Sequence, residues 1–255
     1  METVTIAILA KDKAHCLPLY LKCILGQTFP KDRTYLYIRT NNNTDNTTEL
    51  LEEFITTYRN AYLDIYFDKS RVDHPLEQYK SHEWNPLRFA VLGQIRQESI
   101  EWAMRKNSHY FVVDCDNFIH PMTLESLLRT QLPVVGPFMV TSRTYYSNYH
   151  HSTTDKGYFL HNPEYHLIYE QDIKGLIQVD VIHCTYLVRK DILDKVSYLP
   201  DGTDRHEYVI FSEKLRQGGI QQYLDNRHIY GCITFAENRE GLEEETWVKE
   251  FLVFL

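Results

Sequence analysis

The sequence predicts an α/β domain built on a mostly parallel sheet. Strand-like apolar runs alternate with helix-like amphipathic runs through the first half, as in layered α/β domains. One apolar run, "YFVV" at Tyr110–Val113, ends in two aspartates, Asp114 and Asp116. In sheets of this kind ligands gather at the carboxyl ends of the strands. The chain has 255 residues, 43% apolar and 24% charged, enough to enclose a large core.

The elements follow in order. "VTIAIL", Val4–Leu9, reads as a buried strand, and Leu17–Leu25 as a short helix. Thr34–Thr40, "TYLYIRT", is the second strand. After the polar loop "NNNTDNTTE" comes a helix over Thr47–Tyr58, with Asp45 or Asn46 as its cap. Ala61–Phe67 is a third strand, and Asp68–Pro86, with two prolines, is a loop. Arg88–Arg105 is a long helix whose stripe is Leu92, Ile95, Ser99, Trp102 and Ala103. The aspartate-bearing strand, a helix over Pro121–Arg129 and a strand "PVVGPFM" complete this half. Without repeats or a linker, one domain over 1–255 is expected. The first half, about 1–138, reads as built for a cofactor, and the second, about 139–255, for a substrate.

The formal net charge of −8 excludes general binding to nucleic acid or to an anionic membrane surface. No apolar run is long enough to span a bilayer, and the N-terminus lacks a signal-peptide pattern. Five scattered cysteines without a C-x-x-C argue for reduced thiols. Together these imply a cytoplasmic chain. Cys115, between the aspartates, is expected to face the core.

Two carboxylates so close repel each other and call for a positive partner. In an extended chain residues two apart share a face, so Asp114 and Asp116 can jointly meet one hard divalent cation. Hard cations such as Mg²⁺ and Mn²⁺ suit such carboxylates, with substrate phosphates as further ligands. Chance occurrence of D-x-D in a solvated loop is the plain alternative. The strand before it and Asn117, Pro121 and a helix after it favour the site.

Longer words carry a family resemblance. "YFVVDCDNFIHPMTLESLL", "IAILAKDKAHCLPLYLKCI", "TNNNTDNTTELLEEF", "WNPLRFAVLGQIRQESI", "VVGPFMVTSRTYYSNY" and "VDVIHCTYLVRKDIL" resemble the first domain of the collagen galactosyltransferases, a family 25-like glycosyltransferase group. The resemblance implies a GT-A fold and a UDP-sugar donor, most directly UDP-galactose. It further implies a Mn²⁺-dependent, inverting transfer of a hexose to a hydroxyl acceptor such as hydroxylysine of a collagen-like polypeptide. The family's enzymes carry two such domains with targeting segments, and it includes an adhesion member without clear catalysis. A non-catalytic nucleotide-sugar-binding or adhesion module is therefore the alternative. A nucleotidyltransferase would need a glycine-rich loop after the first strand, and "AKDKAHC" has no glycine.

The same resemblance distributes roles. Asp116 is the firmer metal ligand and Asp114 the second, also facing the donor. His228, in "YLDNRHIYG", is the third ligand. Leu9, Ala10 and Lys11 after the first strand, and Thr40, Asn41 and Asn43 after the second, border the nucleotide. Arg88 and Arg96 are candidates for the diphosphate. His183 and Thr185 line the diphosphate or acceptor side. Glu207 is the candidate general base and Asp180 the runner-up. Asp204 with Glu207 also reads as a helix cap and its partner three residues on.

At the C-terminus Trp247, Val248, Phe251, Leu252 and Phe254 recur at helical spacing, so a helix from about Glu243 with a wide apolar stripe is expected. It packs on its own domain or, in a homodimer, on the partner subunit.

Overall fold

The computed structural model describes residues 2–73 and 85–252. Its centre is an eight-stranded sheet. The strands are β1 (Val4–Ala10), β2 (Thr34–Thr40), β3 (Asp64–Asp68), β4 (His109–Val113), β6 (Val134–Pro137), β9 (Leu176–Val179), β11 (Thr185–Val188) and β12 (Gln222–Asp225). They lie in the order β3-β2-β1-β4-β11-β6-β12-β9. All run one way except β11 and β9, which pair antiparallel to their neighbours. The mostly parallel sheet is therefore as expected, and it takes strands from both halves of the chain.

A three-stranded sheet stands beside it: β5 (Asn117–Ile119), β13 (Gly231–Ile233) and β7 (Met139–Thr141). A two-stranded pair joins β8 (Tyr149–His150) to β10 (Val181–Ile182). The helices are α1 (Leu17–Leu25), α2 (Thr47–Tyr58), α3 (Pro86–Arg105), α4 (Thr123–Arg129), α5 (Pro163–Tyr169), α6 (Glu207–Gln217), α7 (Arg239–Glu244) and α8 (Thr246–Leu252). Among the described residues no helix is long and apolar enough to cross a membrane.

β1, α1, β2 and α2 fall where the pattern put them. β1 is buried along nearly its whole length because β2 and β4 flank it and helices cover it. Asp45 starts α2, its Oδ1 accepting from Thr47 N at 3.0 Å, while the N-cap residue Asn46 makes no side-chain cap. β3 begins later than expected, because Arg59–Ala61 form a 3-10 turn. The expected "PVVGPFM" strand is two strands, β6 and β7, in different sheets. The loop expected over 68–86 lies for residues 74–84 outside the described residues.

α3 departs from its expected stripe. Its buried face carries Phe89, Gly93, Arg96, Gln97, Ser99, Ile100, Trp102 and Ala103, whereas Leu92 and Ile95 are half-buried. Gly93 allows this close packing: a Cβ there would lie 2.6 Å from the Tyr198 carbonyl oxygen. Asn85 caps the helix, accepting from Arg88 N at 3.0 Å, and Pro86 fits its first turn.

The C-terminal helix is also different from expectation. It is two short helices, α7 and α8, broken at Glu245, whose ψ is 121°. Glu245 is held outward from helical geometry by Thr234 and Ser142, which donate to its carboxylate at 2.7 and 3.2 Å. Val248 is buried and Trp247 packs on the core of its own domain. The side chains of Phe251, Leu252 and Phe254 lie outside the description.

Candidate active site

The site forms where β1, β2 and β4 end. The β4 end is fixed from below: Tyr20, fully buried, donates to the Val113 carbonyl at 2.8 Å. The chain then turns, Asn117 N donating to Asp114 O at 2.9 Å. The aspartates are therefore on a turn and not on an extended strand, and their carboxylates meet different cations. Arg96 Nη2 donates to both Asp114 oxygens, at 2.8 and 3.0 Å. Lys13 Nζ donates to Asp116 Oδ2 at 2.8 Å. Cys115 points inward, its thiol on the Leu9 carbonyl at 3.4 Å.

Arg96 is the centre of a buried charge cluster. Its Nε lies 3.4 Å from Glu207 Oε1, and the two side chains are only 8% and 6% exposed. One guanidinium thus bridges Asp114 of β4 and Glu207 at the first turn of α6. Burial pushes the Glu207 carboxyl up, with Arg96 opposing and Asp114 adding to the rise. Gly93 again matters: its hypothetical Cβ would be 3.4 Å from Glu207 Cβ. The cap alternative fails, because α6 starts at Glu207 itself with His206 before it.

The loop after β1 is clasped to the loop after β2. Asp12 N donates to Asn43 Oδ1 at 2.9 Å, Lys13 N to Thr47 Oγ1 at 2.8 Å, and Ala14 N to Asp45 Oδ2 at 3.0 Å. Asn43 also donates to Thr40 and Thr48. Asp12 (φ 51°), Asn42 (φ 46°) and Cys184 (φ 63°) adopt left-handed backbone in the loops framing the site. The Cys184 carbonyl accepts from Asp114 N at 3.0 Å. Next to it His183 is buried, its Nδ1 2.8 Å from Cys184 Sγ and its Nε2 without a partner. Burial holds this imidazole well below its usual range, His150 and Arg96 adding, so it is neutral. Thr185 accepts from Asn117 at 2.7 Å in the core beneath the turn.

A profile described as "Glycosyltransferase family 25, N-terminal domain" matches residues 1–252. The chain belongs to glycosyltransferase family 25. It is 35% identical over 243 residues to "Procollagen galactosyltransferase 2" of Homo sapiens, covering 91% of this chain and 38% of the relative. It is 33% identical to "Procollagen galactosyltransferase 1" of Danio rerio, over 95% of this chain and 42% of that one. "Inactive glycosyltransferase 25 family member 3" of Homo sapiens is 29% identical, over 96% and 43%. The chain spans about two fifths of the length of these curated relatives, 38 to 43%. In solved structures, S. aureus TarS 1–349 in complex with UDP-GlcNAc superposes with a TM-score of 0.60. The identity is 14%, over 94% of this chain and 60% of that one. The mannosyltransferase PcManGT of Pyrobaculum calidifontis, in complex with GDP-Man and Mn²⁺, gives 0.53 at 11% identity, over 96% and 58%. The fold is the GT-A glycosyltransferase fold.

On this family 25 domain the structure brings Asp114, Asp116, Arg96, Glu207, His183 and Thr185 to one strand-end turn. Leu9, Ala10, Thr40, Asn41 and Asn43 border it. Lys11 is exposed and pairs with its neighbour Asp12. Arg88 lies two turns before Arg96, about 12 Å away along the helix axis. Arg96, the other candidate for the diphosphate, is buried, and both Asp114 oxygens accept from its Nη2.

Two expected residues are elsewhere. His228 does not reach the aspartates. β13 runs antiparallel to β5, so Thr234 meets Asp116 while Tyr230 meets His120 at the far end of the ladder. His228 lies beyond Tyr230, exposed and edge-on to its ring. Asp180 follows β9 at the opposite end of the large sheet, beside Gln222 where β12 begins. There its carboxylate accepts from Thr153 N and Oγ1, both at 2.9 Å. Lys13 is the site residue that sequence reasoning missed. The signal available was the second lysine of "KDK", three residues past the end of β1.

Proposed function

We propose that this domain binds a UDP-sugar, most directly UDP-galactose, and transfers its hexose to a hydroxyl acceptor such as hydroxylysine of a collagen-like polypeptide, in a metal-dependent, inverting reaction. The observation carrying this reading is Asp116. It is a part-exposed carboxylate at the carboxyl end of the GT-A sheet, and it already holds a cation, the Lys13 ammonium. The galactosyltransferase names of the relatives support donor and acceptor; the UDP-GlcNAc in the TarS structure supports the nucleotide.

The residues present fit a hard divalent ion. Among the described residues no cluster of three His, Cys, Asp or Glu forms a closed cage. Mg²⁺ and Mn²⁺ sites of nucleotide enzymes commonly use one or two carboxylates and leave other positions to phosphates and water. Asp116 would be the main ligand, because both Asp114 oxygens are engaged by Arg96. Bound there, the metal would neutralise the charge growing on the departing diphosphate. Arg96 fixes the Asp114 carboxylate, and Glu207 fixes Arg96. Glu207 is thus a positioning residue in this arrangement, since its carboxylate faces the guanidinium and not the open side.

The alternative of a non-catalytic nucleotide-sugar module keeps one specific support, the relatives named as inactive. A panel of UDP-sugars, assayed for hydrolysis and for transfer to hydroxylysine peptides with Mn²⁺ or Mg²⁺, tests the proposal. Galactose release or transfer that disappears in Asp116→Asn, with an unchanged melting temperature, is expected. Saturable UDP binding with no turnover of any donor would favour the binding module.

A further inference from the structure

The two aspartates are neutralised unequally, and that inequality has a chemical consequence. Arg96 cannot leave Asp114 easily: its side chain is 8% exposed, its Nη2 donates to both Asp114 oxygens, and Glu207 Oε1 lies 3.4 Å from its Nε. Lys13 can leave Asp116, because the side chains are 30% and 32% exposed and the contact is one hydrogen bond at 2.8 Å. The backbone of Lys13 meanwhile cannot move far. Its N–H is tied to Thr47 Oγ1, and both neighbouring N–H groups are tied to Asn43 and Asp45. Only its flexible four-carbon stem swings, carrying a compact point charge.

We propose that Lys13 is a resident counter-cation of Asp116 that a divalent metal displaces, and that the freed ammonium then binds the diphosphate of the donor. This rests on the proposed reading of the site and deepens it. Lys13 and a divalent ion cannot share one carboxylate oxygen at hydrogen-bond distance, since like charges so close repel strongly. Once off Asp116, Lys13 would stay tethered by its backbone just past the end of β1, where its ammonium could meet a phosphate bound in the same strand-end cleft. Ammonium side chains are established phosphate ligands. Lys13 therefore keeps the two-aspartate turn neutral without substrate and supplies a positive charge to the diphosphate with it.

The two halves of the proposal have opposite signs in one variant. For Lys13→Gln, Mn²⁺ titration followed by electron paramagnetic resonance should show tighter binding without nucleotide, by about tenfold, because the competitor is gone. Calorimetry at saturating Mn²⁺ should then show weaker UDP binding, by about tenfold, with UMP much less affected. Lys13→Arg keeps a cation and should retain both the weak metal affinity and most of the UDP affinity. It also serves as the reference if Lys13→Gln loosens the loop. Unchanged or weaker Mn²⁺ affinity in Lys13→Gln overturns the competition. Unchanged UDP affinity overturns the transfer to diphosphate. If the parent binds Mn²⁺ and UDP through Asp116 but Lys13→Gln behaves identically, this inference falls and the proposed function stands. A parent that takes up neither ligand sinks both.

Discussion

Replacing Arg96 by Met should destabilise this domain in a way that depends on pH. The guanidinium is the cation facing both Asp114, at 2.8 Å, and Glu207, at 3.4 Å, and Met keeps much of its buried volume. Removing one partner of a buried ion pair costs about 3–5 kcal/mol. Protonation of Glu207 sets a ceiling. An ordinary glutamate titrates near 4.3, and neutralising it at pH 7 costs roughly 4 kcal/mol, falling by about 1.4 for each unit of acidification. In the variant the folded-state value of Glu207 rises further above its unfolded value. The folded state then holds the extra proton, and stability is lost as pH rises between the two values. The deficit against the parent should therefore be larger at pH 7 than at pH 5, by about 2–3 kcal/mol. For a chain of this size each kcal/mol moves Tm by roughly 2–4 °C, so about 3–4 kcal/mol gives an expected fall of about 6–16 °C at pH 7. Thermal melts of parent, Arg96→Met and Arg96→Met/Glu207→Gln at both pH values measure it. The double variant should recover part of the loss. A fall under about 3 °C, or an equal fall at both pH values, would refute the idea that Arg96 neutralises a buried pair.

Further outcomes follow from other parts of the structure. Glu207→Gln should lower Tm while leaving the acidic limb of the kcat profile in place, as a positioning role requires; loss of that limb would make Glu207 the base. Burial pushes His150 down to about 4, with Asp180 opposing. A histidine held below its unfolded value near 6.5 costs stability as pH falls from there toward 4, by up to about 3 kcal/mol. His150→Phe should accordingly flatten the fall in Tm between pH 7 and 5, and an unflattened curve would place the acid sensitivity elsewhere. Deleting residues from Glu245 onward removes the buried Val248 and the bonds to Thr234 and Ser142. Burial of one such side chain is worth about 1.5–3 kcal/mol, so a Tm lower by several degrees is expected, and a truncated protein with the parent's Tm would show the tail to be dispensable.

Local signals located most of the framework. β1, β2, α1 and α2 are bounded by polar loops, a proline at the start of α1 and the capping carboxylate of Asp45, and each of these acts within a few residues. The aspartate turn was legible for the same reason: an apolar run ends there. What binds the aspartates was not legible. Lys13 and Asp116 are 103 residues apart in sequence and meet only because β1 pairs with β4. The burial of Arg96 was not legible, because the apolar residues of α3 suggested a stripe through Leu92 and Ile95. The charged cluster at Asp114 and Glu207, together with Gly93, turns Arg96 and Gln97 inward instead. His228 was misplaced because it lies in the turn between β12 and β13, before the ladder that pairs β13 with β5 begins, and no local pattern sets where that ladder starts. The break at Glu245 depends on Thr234 and Ser142, which are likewise distant in the chain.

The most direct measurement is a crystal of this domain grown with Mn²⁺ and UDP, with anomalous diffraction collected at the manganese edge. A single strong peak is expected at about 2.0–2.3 Å from an Asp116 carboxylate oxygen, bridging to the diphosphate, with uracil across the ends of β1 and β2. A manganese peak away from Asp116, or UDP bound elsewhere on the domain, would contradict the assignment of the strand-end turn as the donor site.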